Sequence, residues 1–256
     1  YFNQPRTGAG RIYSFPRTEG RLFHLSGWNM EISLDILPDE RIVEFYQTDF
    51  NDKDWVGFPY LQLEVNGYGT PIYVSAGYPF KIDPPRVMGE PKVGYTTYKE
   101  RNPVGQYRRS FQLPAGWEAR GQTFLRFEGV MSAFYVWING KRVGNSQGSM
   151  EPRIQYYKHL HAGENQIALE VYRYSDGSYL EDQDFWRFGG IHRSIHLLHT
   201  PDIRIRDYAV RTLPVSTDYQ DFILQIDPQF SVYRGMTGKG TTLQGVLKDA
   251  SGREIA

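Results

Sequence analysis

No cysteine occurs in the 256 residues, which excludes a disulfide framework and a thiolate zinc site and leaves stability to core packing. Compartment is therefore not legible from redox chemistry. Net charge is also absent, because 29 Lys and Arg balance 29 Asp and Glu. No stretch packs cations densely enough to track phosphates, so a nucleic-acid partner is not expected. No apolar run approaches the roughly 18 residues that cross a bilayer, so no membrane partner is expected either. Amphipathic helical windows of a dozen residues are missing too, which argues against helical bundles and α/β folds. Tyr1 is not an initiator Met, and the start reads as trimmed by processing or cloning.

Aromatic residues are plentiful: 19 Tyr, 15 Phe and 5 Trp. They suit pleated sheets and the stacking faces of sugars. The length allows two domains of modest size. Residues 1 to about 25 mix Pro, Gly and Arg with no period and read as an extended arm. From Gly27 to about Thr200 short alternating runs are separated by turn signals, as antiparallel strands require. Tyr107, Arg109, Phe111 and Leu113 share one face of such a run. The run AFYVWING ends in Asn139-Gly140, and both positions accept the positive φ of a two-residue hairpin turn. Further strands are expected at QIALEVYRY (166 to 174) and RSIHLLHT (193 to 200). After Pro201 the runs IRIRDYAVRT, DFILQI and TLQGVLKD continue the β pattern, and Ala250-Ser251-Gly252 reads as a turn. That segment is shorter than the about 100 residues of an immunoglobulin-like sandwich, so it is expected to be incomplete.

The segment Ser175 to Trp186, SDGSYLEDQDFW, sets Asp176, Glu181, Asp182 and Asp184 beside Tyr179, Phe185 and Trp186. Carboxylates accept hydrogen bonds from sugar hydroxyls and ligate hard cations, while rings cover the C–H face of a pyranose. A solvated acidic loop fits the same spacing. Retaining glycoside hydrolysis needs two carboxyl groups about 5 Å apart, and neighbours on one loop usually diverge. Gly144-Asn145-Ser146-Gln147-Gly148 matches the G-x-S-x-G pattern, but no helix pattern follows, so an ordinary Gly-rich loop is expected. His192, His196 and His199 sit in a strand-like run that turns His199 away from the other two, which favours structural roles over metal binding. Trp137 is expected in the core, and Trp186 reads equally as core or as sugar platform.

The run YRYSDGSYLEDQDFWRFGGIHRSIHLLHTP (172 to 201) resembles the signature of the large β-galactosidases of glycoside hydrolase family 2. Gly67-Tyr68-Gly69-Thr70-Pro71-Ile72-Tyr73, Asn102-Pro103-Val104-Gly105-Gln106-Tyr107, Val136-Trp137-Ile138-Asn139-Gly140 and Ala162-Gly163-Glu164-Asn165 are similar to family motifs in the same order. The resemblance implies an all-β chain: a galactose-binding-like jelly roll over 26–200, after an arm over 1–25, then an incomplete immunoglobulin-like domain over 201–256. It implies that the catalytic glutamates lie in a downstream barrel absent from this chain, so this portion alone should be inactive. In that family the second Asp of EDQD touches a galactose hydroxyl and ligates sodium, and the matching residue is Asp184. The loop after the PIY motif supplies an Asn to the sugar site, whereas Ser75 stands nearest that position here. The implied partners are a galactoside, the chain's own barrel and further copies in a homo-oligomer of the full-length enzyme, with sodium and magnesium as its cations. A stand-alone carbohydrate-binding module, or the same portion of a β-glucuronidase or β-mannosidase, remains open.

Overall fold

A computed structural model describes residues 21–24, 30–36, 41–53, 55–58, 72–87, 102–117, 119, 121–149, 153–156, 158–181, 184–233, 235–237 and 240–255. The described residues are almost entirely strand and loop, with one short 3-10 turn at Asp176–Tyr179. None of their helices is long and apolar enough to cross a membrane. Leu22–His199 forms one compact unit, and Thr200–Ala256 belongs to another.

The first unit is a sandwich. One sheet has the order β1 (Arg21–His24), β14 (Ile195–Thr200), β6 (Gln122–Phe127), β10 (Arg153–Tyr156). The other has the order β3 (Val56–Phe58), β2 (Met30–Ile36), β5 (Val104–Leu113), β11 (Gly163–Tyr172), β8 (Ala133–Ile138), β9 (Lys141–Gln147). β11 pairs antiparallel with β5 over its whole length and with β8 from Ile167 to Tyr172. Residues 21–24, at the end of the expected arm, are thus a strand of the smaller sheet.

Alternation puts Tyr107, Phe111 and Leu113 of β5, Phe134, Val136 and Ile138 of β8, and Ile167, Leu169 and Val171 of β11 on the inner face. They meet Leu125 and Phe127 of β6 and Ile195 and Leu197 of β14. Burying each such side chain contributes about 1.5 to 3 kcal/mol, so this interdigitated layer holds the two sheets together. The two-residue turn between β8 and β9 forms at Asn139-Gly140, with φ of 48° and 74°, as the pair's tolerance of the left-handed region predicts.

The outer face of the larger sheet is covered as well, which strand periodicity did not reveal. Trp137 is buried as expected, but it lies outside the main core, against Phe45 and Tyr46 of the 41–55 segment. Arg108 sits under that segment, 3% exposed. Its Nε donates to Asp52 Oδ2 at 2.6 Å, and its Nη atoms donate to the carbonyls of Phe45, Gln47 and Phe50. One guanidinium therefore satisfies a loop that has no ladder of its own, using a donor fork that lysine lacks.

In the second unit β15 (Ile203–Pro214) and β16 (Phe222–Val232) form a long antiparallel ribbon with a bulge between Ile205 and Asp207. The run TLQGVLKD is not a strand: only an isolated bridge, Lys248 to Glu254, forms around the turn at Ser251-Gly252. An alternating run becomes a strand only where a neighbour accepts its backbone hydrogen bonds.

Candidate functional site

Residues flanking the sandwich core build the site. β4 (Ile72–Val74) and β12 (Phe185–Arg187) pair as a two-stranded antiparallel ribbon in the register Phe185↔Val74, Trp186↔Tyr73, Arg187↔Ile72. One further step in this register sets Ser75 across from Asp184, and both are exposed. The two residues singled out in sequence thus reach the same end of one ribbon. Asp184 has a φ of 44°, in the left-handed region that Asp tolerates better than most residues. Its Oδ1 accepts a hydrogen bond from the Tyr73 hydroxyl at 3.2 Å.

Trp186 is exposed and Arg187, 1% exposed, turns to the interior as strand alternation requires, and Asp184 and Phe188 are exposed as well. The Trp186 ring is 5.4 Å from Tyr73 and 6.1 Å from Phe188, nearly parallel to the latter. Trp186 is therefore not a core residue. Tyr73, which no sequence motif marked as a site residue, joins the site through the register alone. Partial desolvation, the neighbouring Asp184 charge and their hydrogen bond together hold the Tyr73 phenol above its usual range. It remains a donor at neutral pH.

Among the described residues, the other carboxylates and Tyr179 of the 175–186 loop hold it in place. Glu181 accepts from the Ser149 amide and hydroxyl, each at 2.7 Å, and Ser149 is completely buried. Asp176 Oδ1 accepts from Gln147 Nε2 at 2.8 Å. The Tyr179 hydroxyl donates to the Arg86 carbonyl at 2.6 Å and accepts from the Asp83 amide at 3.1 Å. Its ring packs on Tyr78 and Phe80, so the 78–87 loop is locked to the acidic loop. Upstream, Asn102 closes a double hook on the Tyr174 backbone: its Nδ2 donates at 3.1 Å and its Oδ1 accepts at 2.8 Å. Asp182 lies outside the described residues. Asp176 and Glu181 thus brace the loop, while Asp184 is exposed and meets Tyr73.

The remaining candidates have structural places. Gly144 to Gln147 belong to β9, a strand and not the Gly-rich loop expected there, and Ser146 Oγ donates to the Gln147 carbonyl. His199 stacks on Trp117 at 4.7 Å and meets Thr123 Oγ1 at 2.9 Å, while His196 Nδ1 lies 3.4 Å from Glu128. Burial, then the charge of Arg193, pushes the His192 imidazole down to about 4. Asn139 and Asn165, from two of the quoted motifs, hydrogen-bond to each other at 2.9 Å and brace the loop that ends at Gly163. Among the described residues no three His, Cys, Asp or Glu side chains group as metal ligands. Asp184 is one hard oxygen donor of the type sodium takes.

Comparison with known proteins bears on the family and the fold. The family model described as glycosyl hydrolases family 2, sugar binding domain, matches residues 27–201. A β-galactosidase of Priestia megaterium is 37% identical over 220 residues, covering 85% of this chain and 20% of that protein. One from Yersinia enterocolitica is 47% identical over 150 residues, covering 58% of this chain and 13% of that protein. The chain thus spans about a fifth or less of the length of these relatives. Among solved structures, a Bifidobacterium dentium β-glucuronidase aligns with a TM-score of 0.59 and 17% identity, over 97% of this chain and 40% of that one. A β-glycosidase from Bacteroides vulgatus aligns with a TM-score of 0.55 and 18% identity, over 84% of this chain and 24% of that one. At such identities these structures show the shared fold.

Proposed function

This chain belongs to the family of glycosyl hydrolases family 2 sugar-binding domains, and from that premise we propose that it is the non-catalytic front portion of a retaining β-galactosidase. In this role it lends Asp184 and Ser75 to a galactoside site whose acid/base and nucleophile stand on a catalytic barrel elsewhere in the protein. The observation that carries the proposal is the β4–β12 ribbon, which brings Ser75 and Asp184 to one exposed end from distant parts of the chain. The relatives that match at 37% to 47% identity are β-galactosidases. Among the loop's described carboxylates, Asp176 is held by Gln147 and Glu181 by Ser149, which fits a sugar-binding surface better than a two-carboxylate hydrolytic centre.

Asp184 contributes a fixed negative charge. A carboxylate that accepts from a sugar hydroxyl gains little while wet and more once the walls of a closed pocket exclude water. The chain alone is accordingly expected to bind galactose very weakly and to hydrolyse nothing. Sodium, where bound, would share the Asp184 carboxylate with oxygens from the rest of the protein and offer a positive point to a sugar hydroxyl. No residue of this chain is assigned to magnesium. Ser75 is shorter than an amide side chain, so contacts at that corner differ from those an Asn would make, and the preferred galactoside shifts accordingly.

The test is Asp184→Asn in the complete protein. It keeps size, removes charge and costs a charged hydrogen bond, about 1.5 to 3 kcal/mol. An aryl β-galactoside should lose roughly ten- to a hundredfold in kcat/KM, with sodium dependence weakened. Unchanged kcat/KM and sodium dependence, with a lowered melting temperature, would show that Asp184 only braces its loop. Faster turnover of a β-glucuronide than of the β-galactoside would assign the chain to the sibling activity.

A further inference from the structure

The contact left over once Asp184 is placed at the sugar is the one behind it. Resting on that assignment, we propose that Tyr73 is the positioning residue of the site: its hydroxyl sets the orientation of the Asp184 carboxylate, and Trp186 in turn sets Tyr73. Asp184 is exposed, and its Oδ2 accepts no hydrogen bond from the described residues. A two-torsion side chain in that setting turns freely unless one oxygen is held. The Tyr73 hydroxyl holds Oδ1 at 3.2 Å, so Oδ2 is the oxygen left to accept from a sugar hydroxyl or ligate a cation.

The holding group is itself held. Tyr73 stands opposite Trp186 in the ribbon, with rings 5.4 Å apart and tilted by 49°, and Trp186 is backed by Phe188. Cross-strand aromatic pairs of this kind fix ring orientation on an otherwise open face. Asp184, Trp186 and Phe188 are all exposed within one short stretch, so carboxylate and ring support come from the same five residues of sequence. An exposed hydrogen bond of this sort contributes little to folding stability. Its effect lies in the orientation of a binding group.

Tyr73→Phe in the complete protein keeps the ring and its contact with Trp186 and removes only the donor. The expected result is an unchanged melting temperature, a roughly three- to tenfold fall in kcat/KM, and a higher sodium concentration for half-maximal activity. In an Asp184→Ala background the same substitution should have no further effect, because the group it positions is gone. Equal losses from Tyr73→Phe in both backgrounds would overturn the proposal by showing that Tyr73 acts independently. A damaging Asp184→Ala combined with a silent Tyr73→Phe would overturn it while leaving Asp184 at the sugar. A silent Asp184→Ala would remove the sugar-site assignment itself, and this proposal with it.

Discussion

Replacing Glu181 with alanine removes both acceptors of Ser149 in one step. Ser149 is fully buried and gives its amide and its hydroxyl to the two oxygens of one carboxylate, each at 2.7 Å. Hydrogen bonds to a charged acceptor contribute about 1.5 to 3 kcal/mol each, and a buried amide left without an acceptor costs about 1 to 3 kcal/mol. The hydroxyl can rotate toward another acceptor, and the half-buried carboxylate gave up hydration to be there, so both figures fall toward their lower ends. The expected loss is about 2 to 4 kcal/mol, a large part of the about 5 to 15 kcal/mol typical of a domain. Glu181→Gln preserves shape and one acceptor while the Ser149 hydroxyl turns to accept from the new amide, so it should cost about 1 kcal/mol. Asp176→Ala, which breaks an exposed contact to Gln147, should cost less than about 1 kcal/mol. Urea unfolding of the three variants, read as a shift in midpoint at constant slope, measures this order. A Glu181→Ala loss under about 1 kcal/mol, or Gln costing as much as Ala, would refute the claim that this carboxylate fastens the loop.

Two further outcomes follow from a buried and a half-buried ionisable group. Arg108→Met should destabilise the first unit by about 3 to 5 kcal/mol, because Asp52 and three loop carbonyls lose their donor together; Arg108→Lys, with one point donor in place of a fork, should recover only part of it in the same unfolding assay. His192 carries a folded-state value of about 4 against 6.5 for the unfolded chain, so its contribution is present above 6.5 and is lost as pH falls toward 4, where the unfolded state takes up the proton first. His192→Gln should therefore flatten the pH dependence of the urea midpoint between those values, and an unaltered slope would count against it.

What the sequence determined by itself is what local chemistry dictates. Asn139-Gly140 makes its turn because both residues tolerate positive φ wherever they stand. Tyr107, Phe111 and Leu113 face the core because a strand turns alternate side chains to one side. The run from Tyr172 to Pro201 announced the family because its residues lie contiguous in sequence. Tertiary structure decided everything that depends on which distant segment arrives next to which. Arg108 sits on the strand face that alternation alone would assign to solvent, and only the 41–55 segment laid over it makes the guanidinium a clamp. TLQGVLKD has a strand's pattern and pairs only at the isolated Lys248 to Glu254 bridge, since alternation describes a face and not a neighbour. Within SDGSYLEDQDFW four carboxylates look alike in sequence. Ser149 claims Glu181 and Gln147 claims Asp176, whereas Asp184 meets Tyr73 from 111 residues away. A one-residue slip in the β4–β12 register would turn every side chain of the shifted strand to the opposite face. Which carboxylate meets Tyr73 at the end of the ribbon is therefore a property of strand pairing, which residue types along the chain do not encode locally.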